Sequence, residues 1–292
     1  MKVVSHPTVA EFWQVAGALL TADPVINTVA VTVLGQLRRG QWFGDAEPIL
    51  LTAHNTTDSD GDLVGAALCT PPFPLVVTTL PVRAMPAVVD HLMGVGVVPS
   101  GATGLRPQVE AFVAAWSART GAEVATRMDQ RLYRLGTLRP PANVPGEPSL
   151  ITEDDVELVA DWRGAFMAEA GLSHRGPQSR AELVRFTRDR LAEHGQFLWR
   201  VDGTPVAFAG ASEPASGVSR IGPVYTLPEL RGHGYGSAVT AAASRWALDQ
   251  GAEHLLLYTD LANPVSNSIY QRIGYEPVAD FLDVTFGPVR LR

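Results

Sequence analysis

The sequence has one cysteine, Cys69, among its 292 residues. A lone cysteine excludes an intrachain disulfide and any metal site built from several thiolates. Because Cys69 lies inside an apolar run, residues 63–70, we interpret it as a small buried hydrophobic residue with no catalytic role. No other metal-ligand spacing is present, so we expect no metal ion.

Charge is also scarce. Charged residues make up 18% of the chain, with 23 lysines and arginines against 30 aspartates and glutamates, which gives a formal net charge of -7. Without a run of lysine or arginine to follow a phosphodiester backbone, we expect no nucleic-acid partner. A mildly acidic surface favours a cationic amine through long-range attraction, although such acidity also serves solubility alone.

No leader or membrane segment is recognisable in the sequence. The first residues contain no basic region followed by an apolar segment, and the stretch 15–35 is interrupted by Asp23, Pro24 and Asn27. We therefore expect a cytoplasmic protein that has no membrane partner. For its oligomeric state we expect a monomer or a homodimer.

The most informative segment is residues 221–237, where an apolar strand is predicted to lead through a glycine-rich turn into a helix. Gly232, Gly234 and Gly236 let backbone N–H groups approach one ligand without side-chain interference. The dipole of the following helix favours a phosphate-sized anion at that point. The glycine spacing matches neither the dinucleotide fingerprint nor the P-loop. The alternative interpretation is a turn that merely joins a strand to a helix.

The residues after this turn predict a helix, a strand and a second helix. Small residues through 235–250 permit close packing on a sheet, and Gly251 is placed to end that helix. The apolar run 254–260 predicts a buried strand. Asn263 as N-cap, followed by Pro264, begins the short second helix.

Two patterns in this region resemble the GNAT superfamily, the acyl-coenzyme A-dependent N-acetyltransferases. The first is Arg231-x-x-Gly234-x-Gly236, which is similar to the family's pyrophosphate loop of Gln or Arg, two residues, Gly, one residue, and Gly or Ala. Two such patterns in the family's order and separation are far more specific than one.

The second pattern is Asn263, followed seven residues later by Tyr270 and then by the pair Gly274 and Tyr275. The resemblance implies a GNAT fold of the α/β (α+β) class, with a mixed central sheet flanked by helices. It also implies acetyl-coenzyme A as co-substrate.

Four prolines within residues 139–148 cannot form a continuous helix or a central strand. We therefore predict a proline-rich linker at 140–149 between a first domain, 1–139, and a catalytic GNAT domain, 150–292. Inside the second domain, Thr152 is placed to cap a helix, and Asp202-Gly203 favours a tight hairpin turn.

The first half resembles a degenerate copy of the second. Strands are predicted at 48–52, 63–70 and 75–80, with a turn at 58–62. Where this copy should have a phosphate loop, residues 79–86 contain no glycine, and prolines remove backbone donors. We therefore expect only the second half to bind acyl-coenzyme A, and the first half to shape the acceptor cleft or a dimer interface.

The residues expected to contact coenzyme A combine the end of the strand before the loop with the residues that the resemblance implies. On that strand we expect pairing with the next strand to fail, which leaves N–H groups for the pantetheine amides and the thioester oxygen. The full set is Val224, Tyr225, Thr226, Arg231, Gly232, His233, Gly234, Tyr235, Gly236, Ser237, Asn263, Ser266 and Tyr270.

For the chemistry, the resemblance makes Tyr270 the general acid that protonates the departing thiolate, since the ordinary pKa of a tyrosine is close to that of a thiol. The alternative interpretation of Tyr270 is an aromatic residue that packs in the core and has no catalytic role. No motif marks the base, for which Glu213 and Asp260 are the candidates and Tyr225 a third possibility. We interpret the side chain of His233 as solvent-facing and not catalytic.

His174 and Arg175 fall where the family places its acceptor-binding connection. The sequence therefore predicts direct transfer of an acetyl or short acyl group to a primary amine, with a small molecule favoured as acceptor. A protein N-terminus or lysine is the alternative acceptor. A further alternative is a binding protein that senses acyl-coenzyme A without turnover. The presence of Tyr270 counts against it, because sensing requires no proton donor.

Overall fold

The structure is a computed structural model that describes residues 1–40, 46–55, 61–172, 179–191 and 195–287. In chain order, its helices are α1 (Val9–Thr21), α2 (Thr28–Arg38), α3 (Met85–Gly94), α4 (Arg106–Thr120), α5 (Val156–Glu169), α6 (Arg180–Asp189), α7 (Tyr235–Asp249) and α8 (Pro264–Arg272). Its strands are β1 (Lys2–Ser5), β2 (Ile49–His54), β3 (Leu63–Cys69), β4 (Leu75–Val76), β5 (Gly101–Leu105), β6 (Val124–Leu135), β7 (Glu147–Leu150), β8 (Gln196–Val201), β9 (Thr204–Ala211), β10 (Val218–Thr226), β11 (His254–Asp260) and β12 (Tyr275–Phe286).

The chain forms two compact units. Unit 1 contains Met1–Arg131, Asp260–Ala262 and Ala279–Arg292, and unit 2 contains Leu132–Thr259 and Asn263–Val278. The limits of the units fall inside β6 and β12. Each of these long strands therefore belongs partly to unit 1 and partly to unit 2. The compact units therefore do not follow the linear division at 140–149, and the domain boundaries drawn from the sequence stay a prediction.

The sheet of unit 1 has the order β1-β2-β3-β4-β5, followed by the later part of β12 and the earlier part of β6. Its pairs β1–β2, β2–β3 and β3–β4 are antiparallel, and β4–β5 is parallel. A core with Phe112 and Trp116 of α4 fully buried packs on this sheet. The free Cys69 is buried in the same core, as its apolar surroundings predict.

In unit 1 the strands predicted near residues 48–52 and 63–70 are confirmed as β2 and β3. The strand predicted over 75–80 is wrong in length, because β4 ends at Val76. There the chain turns, with the Leu80 N–H donating to the Val77 carbonyl at 3.1 Å. The turn predicted at 58–62 lies largely outside the described residues.

The sheet of unit 2 has the order β7-β8-β9-β10-β11, followed by the later part of β6 and the earlier part of β12. The pairs β7–β8, β8–β9 and β9–β10 are antiparallel, and the pair β10–β11 is parallel. Pro148 lies on β7, the edge strand, where its missing N–H costs no ladder bond. One core lies between the sheet and α7, and a second, with Trp162 of α5, lies on the other face.

Local signals in unit 2 give the structure that they predict. Asp202 and Gly203 both have positive φ, +49° and +78°, in the turn between β8 and β9. Thr152 and Asp155 form a capping box before α5. Among the described residues, no helix has the length and apolar character that a bilayer crossing requires.

Candidate active site

Strands β10 and β11 separate along their length. They pair in parallel through residues 218–220 and 254–256. After a bulge that follows Ile221, β10 remains in register with β9, where Tyr225 lies opposite Phe208. Within these fully described strands, no parallel pair with β11 follows the first three, so backbone groups on that side of β10 are left for another partner. The failure of pairing predicted for this strand is confirmed.

The glycine loop lies directly after β10. Gly232 and Gly234 have φ of +84° and +85°, a region that residues with a side chain rarely adopt. Gly234 is the N-cap of α7 and supplies no side-chain cap, so the N–H groups of the first turn of α7 are left without a side-chain partner. At Gly236, a Cβ would lie 3.2 Å from Oγ1 of Thr226. The loop and the helix start therefore leave backbone N–H groups that no side chain caps.

Uncapped N–H groups at the positive end of the α7 dipole are the kind of site that a phosphate group prefers. The small residues of α7 place it close to the sheet, with Ala238, Ala241 and Ala243 buried. Gly251, at φ +86°, ends the helix as its position predicts. These features also explain why the sequence is glycine- and alanine-rich here.

The pair Gly274 and Tyr275 has a structural role. A Cβ on Gly274 would lie 1.9 Å from the Thr137 carbonyl oxygen, so only glycine permits that approach. The Tyr275 hydroxyl is buried against the hydroxyl of Ser244 on α7, at 2.7 Å. This part of the second sequence pattern therefore fixes α7 and β12 within unit 2.

Tyr270 lies on α8 and is partly buried against the core beneath α7. Its ring meets that of Tyr275 edge to face, with centroids 6.2 Å apart. Burial raises the pKa of the Tyr270 hydroxyl to about 12. The phenol therefore keeps its proton throughout the physiological pH range, as a proton donor must. Its role as general acid stays a prediction.

Asn263 is confirmed as the N-cap of α8, since its Oδ1 accepts a hydrogen bond from the Ser266 backbone N–H at 3.0 Å. Pro264 takes the first helical position, as the sequence predicts. Capping accounts for the Asn263 side chain without a ligand. Contact of Asn263 and Ser266 with coenzyme A stays a prediction.

One carboxylate that the sequence did not single out joins two of the predicted residues. Glu169 is the last residue of α5. Its Oε1 accepts a hydrogen bond from the Tyr225 hydroxyl at 3.2 Å, and its Oε2 accepts one from Nη2 of Arg231 at 2.6 Å. The Arg231 guanidinium lies 5.9 Å from the centre of the Tyr225 ring and also donates from Nε to the Thr226 carbonyl at 3.1 Å.

Burial, followed by the nearby charge of Glu169, raises the pKa of the Tyr225 hydroxyl, so Tyr225 is a hydrogen-bond donor and a poor base. A signal for Glu169 was present in the sequence, because a negative charge in the last turn of a helix opposes the helix dipole. Such a residue needs a compensating partner, and here Arg231 supplies it.

The two carboxylates predicted as bases have different surroundings. Glu213 follows β9, five residues beyond Phe208, the partner of Tyr225. That separation is about 16 Å along an extended strand. Asp260 ends β11 and belongs to unit 1, and its Oδ1 accepts a hydrogen bond from the Ala262 N–H at 2.8 Å. The role of each as base stays a prediction.

His233 is exposed and serves the loop itself. Its Nδ1 bonds to the carbonyls of Leu230 and Arg231 at 3.2 and 3.0 Å, and its ring stacks on Tyr235 with centroids 5.6 Å apart. These contacts favour the structural interpretation of its side chain. His174 and Arg175 lie outside the described residues.

Unit 1 differs at the corresponding place. After β4, the Val77 N–H donates to the Thr103 carbonyl of β5 at 2.9 Å, so these strands stay together where β10 and β11 part. The next turn, where unit 2 has its glycines, holds Thr79, whose Oγ1 donates to the Ala66 carbonyl at 2.5 Å. This geometry supports the prediction that the first half lacks a cofactor site.

Comparison with known proteins places the site in a family. Residues 157–275 match the model of the acetyltransferase (GNAT) family. Residues 157–275 therefore form a domain that matches the GNAT acetyltransferase family. It contains the separated strands, the glycine loop and Tyr270 described above. Members of the family use acetyl-coenzyme A as the acyl donor.

Among its relatives, mycothiol acetyltransferase of Pseudarthrobacter chlorophenolicus is 30% identical over 162 residues, which cover 51% of this chain and 47% of the relative. The chain spans about half the length of the curated relatives that it matches.

Two solved structures show the fold. A GNAT-family acetyltransferase from Colwellia psychrerythraea superposes with a TM-score of 0.64 at 12% identity, covering 98% of this chain and 100% of that one. A tandem GNAT protein from the clavulanic acid biosynthesis pathway superposes with a TM-score of 0.53 at 16% identity, covering 98% and 99%. The GNAT fold predicted from the sequence, with a tandem arrangement, is confirmed.

Proposed function

We propose that unit 2 binds acetyl-coenzyme A and transfers its acetyl group directly to a primary amine of a small molecule. The observation that carries this proposal is the opening between β10 and β11, which ends at the glycine loop and the start of α7. Such a site presents backbone donors first to an extended chain and then to a diphosphate, in the order that a pantetheine diphosphate requires.

In this proposal the diphosphate accepts hydrogen bonds from the N–H groups between Arg231 and Ser237. The thioester carbonyl lies near the unpaired side of β10, around Tyr225, where a backbone N–H stabilises the oxyanion that develops during attack. Acetyl-coenzyme A supplies the activated carbonyl and a thiolate leaving group. Tyr270, whose buried phenol is protonated at neutral pH, donates its proton to that thiolate.

Glu169 is our candidate for attracting the amine. Its carboxylate lies against the Tyr225 hydroxyl, on the face of the sheet that α5 covers, and its side chain is 45% exposed. A substrate ammonium can therefore reach it. Arg231 neutralises Glu169 in the structure, and a diphosphate attracts the same guanidinium. Binding of the acyl donor would then release Glu169 for the amine.

The relatives are named mycothiol acetyltransferases, and mycothiol is a small molecule, which supports a small-molecule acceptor. From these relatives we carry over to this chain only the class of acceptor, a small molecule.

The test is a panel of small amines with acetyl-coenzyme A, followed by release of the free thiol. We expect turnover with at least one small amine and none with a lysine-containing peptide of similar charge. E169Q should raise the KM for the amine by about 10-fold or more, and it should not raise the Kd for coenzyme A, because Arg231 is then free for the diphosphate. E253Q, at an exposed glutamate before β11, is the matched control and should behave as native. Thiol release with the peptide alone would contradict the small-molecule proposal.

A further inference from the structure

Arg220 is an unusual residue within unit 2. It lies on β10 at the last position that pairs with β11, opposite Leu256. Its Nε is buried and has no hydrogen-bond partner, and no described carboxylate forms an ion pair with it. The side chain as a whole is half-buried, so its Nη groups are not sealed from water, whereas the buried Nε lacks a partner at a cost in free energy.

The strand register shows which face Arg220 occupies. Its neighbours Ser219 and Ile221 are buried, and Ile221 belongs to the core beneath α7. Because side chains alternate along a strand, Arg220 points to the opposite face, which α5 and α6 cover. Tyr258 of β11 shares that face, since its neighbour Leu257 belongs to the α7 core.

A second arginine stands beside Arg220. Arg190, the C-cap of α6, and desolvation together lower the pKa of the Arg220 guanidinium, with burial as the larger cause. The Arg190 guanidinium also lies 4.7 Å from the centre of the Phe186 ring, whose centre is 5.4 Å from the guanidinium of Arg163. The side chains of Arg163 and Arg190 therefore both pack against Phe186.

This face is also the one that Tyr225 shares, since Tyr225 packs in the core with Trp162 of α5. The Ser212 N–H donates to the Arg220 carbonyl at 2.9 Å, and Tyr225 lies opposite Phe208, four residues earlier on β9. The two positions on β10 are therefore about 13 Å apart along the strand. Glu169 is at the Tyr225 end, and Arg220 is at the other.

We propose that Arg220 binds an anionic group, a carboxylate or phosphate, on the amine acceptor, so that the acceptor is an amine with an anionic group several bonds away. This inference rests on the proposed function, and it narrows the class of acceptor. Arg220 binds the anion through a charge-assisted, forked pair of hydrogen bonds, and Glu169 attracts the amine at the far end.

The test compares two ligands that differ only in charge, 6-aminohexanoate and 6-aminohexanamide, by calorimetric titration into protein saturated with coenzyme A. The native protein should bind the carboxylate about 10- to 100-fold more tightly than the amide. R220M should remove this preference. R245M, at an exposed arginine on α7, should keep it. Equal binding of the two ligands, binding of neither, or an R220M variant that keeps the preference would overturn the inference.

Thermal unfolding separates a binding role from a structural one. The buried Nε of Arg220 has no hydrogen-bond partner, which destabilises the fold, so R220M should raise the Tm of the unliganded protein, whereas loss of a structural arginine would lower it. A lower Tm for R220M than for R245M would contradict the proposal. Because these readouts are binding and unfolding, they do not require acetyl transfer. Failure of the acetyltransferase proposal would appear separately, as absent thiol release with coenzyme A still bound.

Discussion

Replacing Gly232 with alanine tests the backbone cradle, and Gly251→Ala provides a matched control. Both glycines have almost the same positive φ, +84° and +86°, and a Cβ at either position would meet no atom within 4 Å. The alanine therefore adds the same backbone strain at each site, about 1–2 kcal/mol, without a steric clash. Gly232 lies in the proposed diphosphate loop, and Gly251 lies at the far end of α7.

The two variants should thus lose similar stability in thermal or denaturant unfolding, and they should differ in binding. The exposed loop of G232A should relieve part of its strain by rotating, which turns at least one N–H group away from the diphosphate. A hydrogen bond to a charged group contributes about 1.5–3 kcal/mol, which corresponds to a rise in the Kd for coenzyme A of about 10- to 150-fold. G251A should keep the native Kd. Equal Kd values for G232A and native protein, or equal weakening in both variants, would refute the cradle.

Three further predictions concern single side chains. Tyr270→Phe should lower kcat by about 100-fold or more and leave the Kd for coenzyme A unchanged, as single-turnover kinetics would show; full activity would exclude Tyr270 as the acid. Asn263→Ala removes the N-cap of α8 and should cost about 1 kcal/mol of stability in urea unfolding, whereas an unchanged midpoint would show that the cap is dispensable. Burial raises the pKa of the Asp155 carboxyl group. Hydrogen bonds from Nη2 of Arg200, at 2.5 Å, and from Thr152 outweigh burial, so the pKa is lowered overall. The stability that Asp155 contributes is fully present above the ordinary carboxyl pKa and is lost as the pH falls through the lowered pKa. The free energy of unfolding of Asp155→Asn, measured at a series of acidic pH values, should therefore depend less on pH than that of the native protein.

Where the sequence succeeded, the information was local. Asp202-Gly203 specified its turn through backbone conformation, and Asn263-Pro264 specified a helix start through capping. The glycine loop could be predicted for the same reason, since φ, cap and helix dipole depend on a few adjacent residues. These signals predicted the local structure of the segment between β10 and α7.

Where the sequence fell short, the information was long-range. Glu169 meets Arg231, 62 positions away, only because α5 packs over β10. Arg220 could not be distinguished from a surface arginine until the register of β10 showed which face it occupies. The compact units could not be predicted either, since they depend on how far β6 and β12 extend, and no turn residue marks those limits.

Calorimetric titration of the protein with acetyl-coenzyme A tests the central claim most directly, with Gly234→Pro as the variant that should destroy the cradle. We predict one site per chain in the native protein and no binding in the variant, because within the described parts of the chain only unit 2 has separated strands that lead to a glycine loop. Two sites would show that unit 1 also binds the cofactor, and the absence of binding to the native protein would contradict the acetyltransferase proposal.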